Sequence, residues 1–102
     1  MVHMFVQIDD FVIEHTELTK VYGRGIGFPG FEFEGVAPEE KGKRIVEKLE
    51  QLKGQKYLDC KAIDDQGREY SGYGTLEEFK SEYVTKEAPV MYRFSGTVSF
   101  AK

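Results

Sequence analysis

A chain of 102 residues with a net charge of −4, 40% apolar and 31% charged, is long enough to bury one core and too apolar to stay disordered. No apolar run approaches the roughly 18 residues a membrane helix needs, and Gln7, Asp9 and Asp10 interrupt the apolar N-terminal stretch that a secretory leader would require. A single cysteine excludes an internal disulfide, so a reducing, cytoplasmic location is expected. The pair His3–Met4 is what a common cloning junction encodes. Residues 1–3 are therefore read as a cloning remnant and residues 1–102 as a single domain. The absence of Asn beside abundant Glu and Lys leans towards a heat-adapted source. An acidic balance argues against a general polyanion binder, although the charge is segregated: residues 1–40 are acidic and the block from Lys41 to Lys61 is basic.

Val2, Met4, Val6 and Ile8 alternate as in a half-buried strand, and Phe11 and Ile13 continue that pattern one place out of step. Asp9–Asp10 is read as a bulge rather than a hairpin turn, because neither residue is Gly or Asn. A second strand is expected near Leu18–Tyr22, then a Gly/Pro loop from Gly23 to Gly30, then a short strand in which Phe31, Phe33 and Gly35 share one face.

Pro38, Glu39 and Glu40 suit the start of a helix, and Ile45, Val46, Leu49 and Leu52 give it one apolar stripe. Lys53 and Gly54 end it, so a helix is expected over about residues 38–53. Tyr57–Ile63 and Arg68–Tyr73 flank the turn Asp64-Asp65-Gln66-Gly67 as a hairpin. Thr75 with Glu78 reads as a capping box opening a short helix over about 75–83, with Leu76, Phe79 and Tyr83 along one side. From Val90 to Phe100 the alternation is the cleanest in the chain. This last strand is expected to be half-buried and to lie at a sheet edge open to a second copy. The expected class is α+β, order β-β-(β)-α-β-β-α-β, with an antiparallel or mixed sheet of five or six strands.

The segment Arg24 to Phe31 resembles the RNP1 signature of the RNA-recognition motif at most of its constrained places. Ile26 stands where that signature has an aromatic, however, and Pro29 would interrupt a central strand. The loop reading is preferred. The same glycines lack the spacing of a phosphate cradle. Asp9, Asp10, Glu14 and His15 carry metal-ligand chemistry but alternate between strand faces, so no metal is expected. Cys60 sits on an apolar face with Leu58 and Ala62 and reads as an inert thiol, and no cofactor-binding pattern occurs.

The candidate partner-binding residues are Arg24, Phe28 and Phe31 in and after the Gly-rich loop, Lys41, Arg44 and Lys48 as a basic helix stripe, and Tyr70 and Tyr73 at a strand end. The preferred reading is a small non-catalytic module that binds another protein as a regulator, inhibitor or subunit. The alternatives are single-stranded nucleic-acid binding through Arg24, Phe28 and the helix stripe, and a small enzyme using His15.

Overall fold

The computed structural model describes residues 3–25, 27 and 29–101. Among them the chain forms β1 (Phe5–Ile8), β2 (Phe11–Ile13), β3 (Leu18–Gly23), β4 (Gly30–Pro38), α1 (Glu39–Leu52), β5 (Leu58–Ile63), β6 (Glu69–Thr85) and β7 (Met91–Phe100). The strands make one seven-stranded sheet in the order β2-β1-β5-β6-β7-β4-β3, and every pairing is antiparallel. This corrects the expected sheet of five or six strands with two helices. The described residues hold more strand and a single helix.

Two local features account for the difference. At Asp9–Asp10 the chain turns back as a hairpin, not a bulge, pairing Val6 with Ile13 and Ile8 with Phe11. Asp9 takes φ 58, a left-handed conformation that an Asp side chain tolerates better than most.

The second feature is that residues 75–83 are strand, not helix. β6 continues to Thr85, with register shifts between Leu76 and Glu78 and between Tyr83 and Thr85. Each shift inserts one residue, Glu77 and Val84, into the two-residue period. The extra Glu77 sets Leu76 and Phe79 three places apart on one face, and Tyr83 follows four places later. A bulged strand thereby acquires helical spacing.

The long hairpin of β6 and β7 is the backbone of the sheet. β7 has β6 on one side and β4 on the other, so the last strand is central and does not offer the edge expected of it. Phe94, Gly96 and Val98 point inward from it, opposite Gly35, Phe33 and Phe31 of β4. Glu32 and Glu34 share the outer face with Arg93, Ser95 and Thr97.

A flat sheet of this width would place its edge strands roughly 29 Å apart at about 4.8 Å per strand. Residues 14–17, the link between edge strands β2 and β3, reach only about 17 Å from Ile13 to Leu18. The sheet therefore coils until its two edges approach. β3 passes over the tip of the β5–β6 hairpin, so closely that a Cβ on Gly23 would lie 2.5 Å from the Tyr70 ring.

Helix α1 lies in the hollow. Its first turn carries Glu39 and Glu40, which suit the positive end of the helix dipole. It buries Gly42, Ile45, Leu49 and Leu52 against Phe31, Phe33, Phe94 and the other core side chains. Two residues beyond its end Gly54, with a φ of 82, reverses the chain.

Among the described residues, no helix is long and apolar enough to cross a membrane. Gly35 leaves no room for a side chain: an added Cβ would stand 2.2 Å from the Glu17 carbonyl oxygen and 2.3 Å from the Phe94 ring. Gly35→Ala is expected to lower stability by about 1–3 kcal/mol in thermal or urea unfolding, and an unchanged midpoint would show that the coil is looser than described.

Candidate functional site

β5 stops pairing with β6 at Leu58↔Gly74. The chain reaches β5 from the end of α1 through Tyr57, whose φ of 61 bends it away, and the Gly54 N–H donates to the Leu76 carbonyl (3.1 Å). From Glu77 onward β6 keeps β7 on one side, and among the described residues no strand pairs with it on the other.

The phase of the ladders fixes which backbone groups this leaves open. Phe100 N–H donates to Pro29 O (2.9 Å) and Ala101 N–H to Tyr73 O (2.7 Å). Even-numbered residues of β7 therefore bond to β4 and odd-numbered ones to β6. On β6 it follows that Glu78, Lys80 and Glu82, opposite Thr97, Ser95 and Arg93, hydrogen-bond to β7. The N–H and C=O of Phe79, Ser81 and Tyr83 point to the open side, and among the described residues no backbone partner meets them.

Side chains of the two sets lie on opposite faces. Phe79, Ser81 and Tyr83 face the helix, with Tyr83 43% exposed and set edge-on to Tyr92 at 4.8 Å. The ammonium groups of Lys43 and Lys53 stand 6.0 and 5.9 Å from the Tyr83 and Phe79 rings, so α1 runs alongside this edge without covering it. Glu78, Lys80 and Glu82 stand on the outer, solvated face. Bulges at Glu77 and Val84 bracket the run.

The residues singled out from the sequence do not converge on one surface. Phe28 lies outside the described residues. Phe31 is fully buried, 5.9 Å from the Phe100 ring, and cannot meet a partner. Arg24 hydrogen-bonds Ser99 and pairs with Glu77 at 3.4 Å. The stripe of Lys41, Arg44 and Lys48 does form along one flank of α1, and each member has an acid beside it: Glu17, Glu40 and Asp10.

Lys41 and Arg44 border an open groove of about 490 Å³ between α1 and β2, floored by Phe11, Ile13 and Ile45. In it Glu17 is buried with Oε2 unpartnered among the described residues. Burial opposes its charge, but the Lys41 ammonium prevails and holds the carboxyl below its ordinary value.

Tyr73 is exposed on the outer face, whereas Tyr70 turns inward and donates its hydroxyl to Asp64 Oδ2 (2.9 Å). A larger open groove of about 940 Å³ crosses the outer faces of β4, β7 and β6 past Glu34, Lys80, Glu82 and Arg93. Its charges pair within it, Arg93 with Glu82 at 3.3 Å. Beside it, burial first and then Glu32 raise the Tyr22 hydroxyl pKa.

His15 is exposed and stacks on His3 with ring centroids 4.1 Å apart. Cys60 lies opposite Ile8, at the other end of β1. Its thiol donates to the Leu58 carbonyl, and burial pushes its pKa up to about 11. Among the described residues no three His, Cys, Asp or Glu side chains gather as metal ligands. Comparison with known proteins finds no match to a family model, a curated sequence or a solved structure, so geometry alone carries the functional argument.

The buried Asp64 organises the hairpin tip beside Gly23. Burial opposes its ionisation, but N–H groups of Arg68 and Gln66 (2.9 Å each) and the Tyr70 hydroxyl outweigh it, and the carboxyl is held below its ordinary 3.8. A depressed carboxyl pKa stabilises the fold above the unfolded value and loses that contribution as pH falls through the folded one. Unfolding followed from about pH 7 to about pH 2 should show stability falling below about pH 4. Asp64→Asn should start about 1–3 kcal/mol less stable and decline less steeply. A slope equal to that of the unsubstituted protein would contradict the assignment.

Proposed function

We propose that this chain is a non-catalytic protein-binding module, an assembly subunit that takes an extended segment of its partner as an additional strand on β6. The observation that carries this reading is the row of outward-facing backbone groups at Phe79, Ser81 and Tyr83, flanked on the helix side by aromatic rings. Unpaired groups on a sheet edge are the template for strand addition: the backbone supplies affinity, and alternate side chains supply specificity. The incoming strand would set every second side chain against Phe79 and Tyr83. The intervening ones would meet Glu78, Lys80 and Glu82, so an aromatic or aliphatic residue alternating with charged ones fits best. The charges at Glu78, Lys80 and Glu82 and the two bulges restrain indiscriminate pairing, which suits a module that selects its strand. We place this work in the cytoplasm, where the single buried thiol stays reduced.

Proline distinguishes the two sides of β6. Ser81 offers its N–H to the open edge, so Ser81→Pro removes a donor that the fold does not use and obstructs an added strand. Lys80→Pro removes a bond to β7 and should cost about 1–3 kcal/mol of stability. Selection of extended peptides from a random display library is expected to enrich binders on the unsubstituted protein and none on Ser81→Pro, while Ser81→Pro stays folded by circular dichroism. Equal binding of the selected peptides by Ser81→Pro would reject the reading.

A further inference from the structure

The open edge carries a pattern that complements itself. Resting on the assignment of β6 as the binding edge, we propose that its partner is a second copy of this chain, the two β6 strands pairing antiparallel about a two-fold axis at Ser81. In that register the outward groups of Ser81 meet those of Ser81 in the second copy, and Phe79 meets Tyr83 and Tyr83 meets Phe79. All of these are the residues whose N–H and C=O point to the open side, so the pairs close with hydrogen bonds in both directions. The rings of Phe79 and Tyr83, on the helix face of both copies, then lie directly opposite each other as an aromatic cross-strand pair.

On the outer face the same register sets Lys80 against Glu82 of the second copy, and Glu82 against its Lys80. These are the pairs without backbone bonds, where side chains approach most closely, so their charge matters most.

The neighbouring registers fail on the same grounds. A slip that moves the sum of paired residue numbers by one opposes the aromatic face of one strand to the charged face of the other. Centring the axis on Lys80 sets Lys80 against Lys80 and Glu78 against Glu82. Centring it on Glu82 opposes two Glu82 carboxylates. Extension beyond the run is stopped by the bulges at Glu77 and Val84 and by Gly54, which already occupies the Leu76 carbonyl. The contact is therefore isologous and closed, which gives a dimer and not a fibre. The two sheets become one, with both helices on the same face.

Charge reversal tests the register. The unsubstituted protein is expected to sediment as a concentration-dependent dimer. Lys80→Glu sets two Glu pairs across the axis and Glu82→Lys sets two Lys pairs, and each should weaken self-association about tenfold. Mixing the two variants should restore association as a heterodimer. The carboxylate introduced at position 80 of one chain then faces the ammonium introduced at position 82 of the other, and across the axis the retained Glu82 faces the retained Lys80. Glu82 also pairs with Arg93, but both side chains are more than half exposed, so folding should change little.

A monomer at concentrations up to about 1 mM, with peptide binding that remains sensitive to Ser81→Pro, would overturn the second copy as partner and leave the edge assignment standing. A dimer indifferent to both single reversals would overturn the register. A Ser81→Pro variant that dimerises as well as the unsubstituted protein would overturn both the partner and the edge.

Discussion

One backbone hydrogen bond, from Gly54 N–H to Leu76 C=O, divides the longest strand of this protein into two halves with different lives. Before it, β6 is an interior strand between β5 and β7. After it, β6 is a sheet edge. The bond exists because α1 must end close to where β5 begins: Gly54 reverses the chain at φ 82 and Tyr57 turns it again at φ 61 before Leu58 can enter the sheet. Two left-handed residues within so short a link leave no extended chain to pair with residues 77–85. The open edge follows from how the helix is connected, and the placement of the aromatic rings follows from the bulges that flank it.

The coil of the sheet makes this connection necessary. The residues between β2 and β3 are too few to cross a flat seven-stranded sheet, so the edges are drawn together, and the hollow that results is filled by Phe31, Phe33, Phe94 and the apolar face of α1. Close approaches that only glycine permits, at Gly35 under Phe94 and at Gly42 under Tyr92, set the depth of that filling. With α1 committed to the hollow it cannot cover the edge of β6 as well. Lys43 on α1 and Lys53 just beyond it lay their stems along the edge, long side chains that shield aromatic surface while keeping their charge in water.

Local periodicity carried much of this architecture. The stripe of Ile45, Leu49 and Leu52 announces α1, the alternation from Val90 to Phe100 announces β7, and Asp64 to Gly67 announces the turn between β5 and β6. What periodicity misses is pairing. The position of β7 at the centre of the sheet depends on β4 and β6 choosing it, and no spacing within residues 91–100 records that choice. The helical appearance of residues 75–83 arises because a bulge adds one residue to a two-residue period, which imitates a turn of helix. Asp9 shows that a hairpin turn needs only a residue that tolerates positive φ, not Gly or Asn.

The candidate surface was less legible still. The basic stripe on α1 is real as a stripe, but Asp10 and Glu17 come from distant elements to pair with it, and Phe31 belongs to the core. The β-branched, aromatic and hydroxylated residues of Ser81–Thr85 were the available signal for a strand. Nothing local says that one of its sides is left empty.

The central claim is that alternate backbone groups of β6 have no partner among the described residues. Hydrogen exchange resolved by residue, with the exchange carried out in dilute solution, tests it directly. The account predicts slow exchange at Glu78, Lys80 and Glu82 and exchange orders of magnitude faster at Phe79, Ser81 and Tyr83. Uniform protection across residues 78–83 under dilution would contradict it, because those amides would then already have partners inside a single copy.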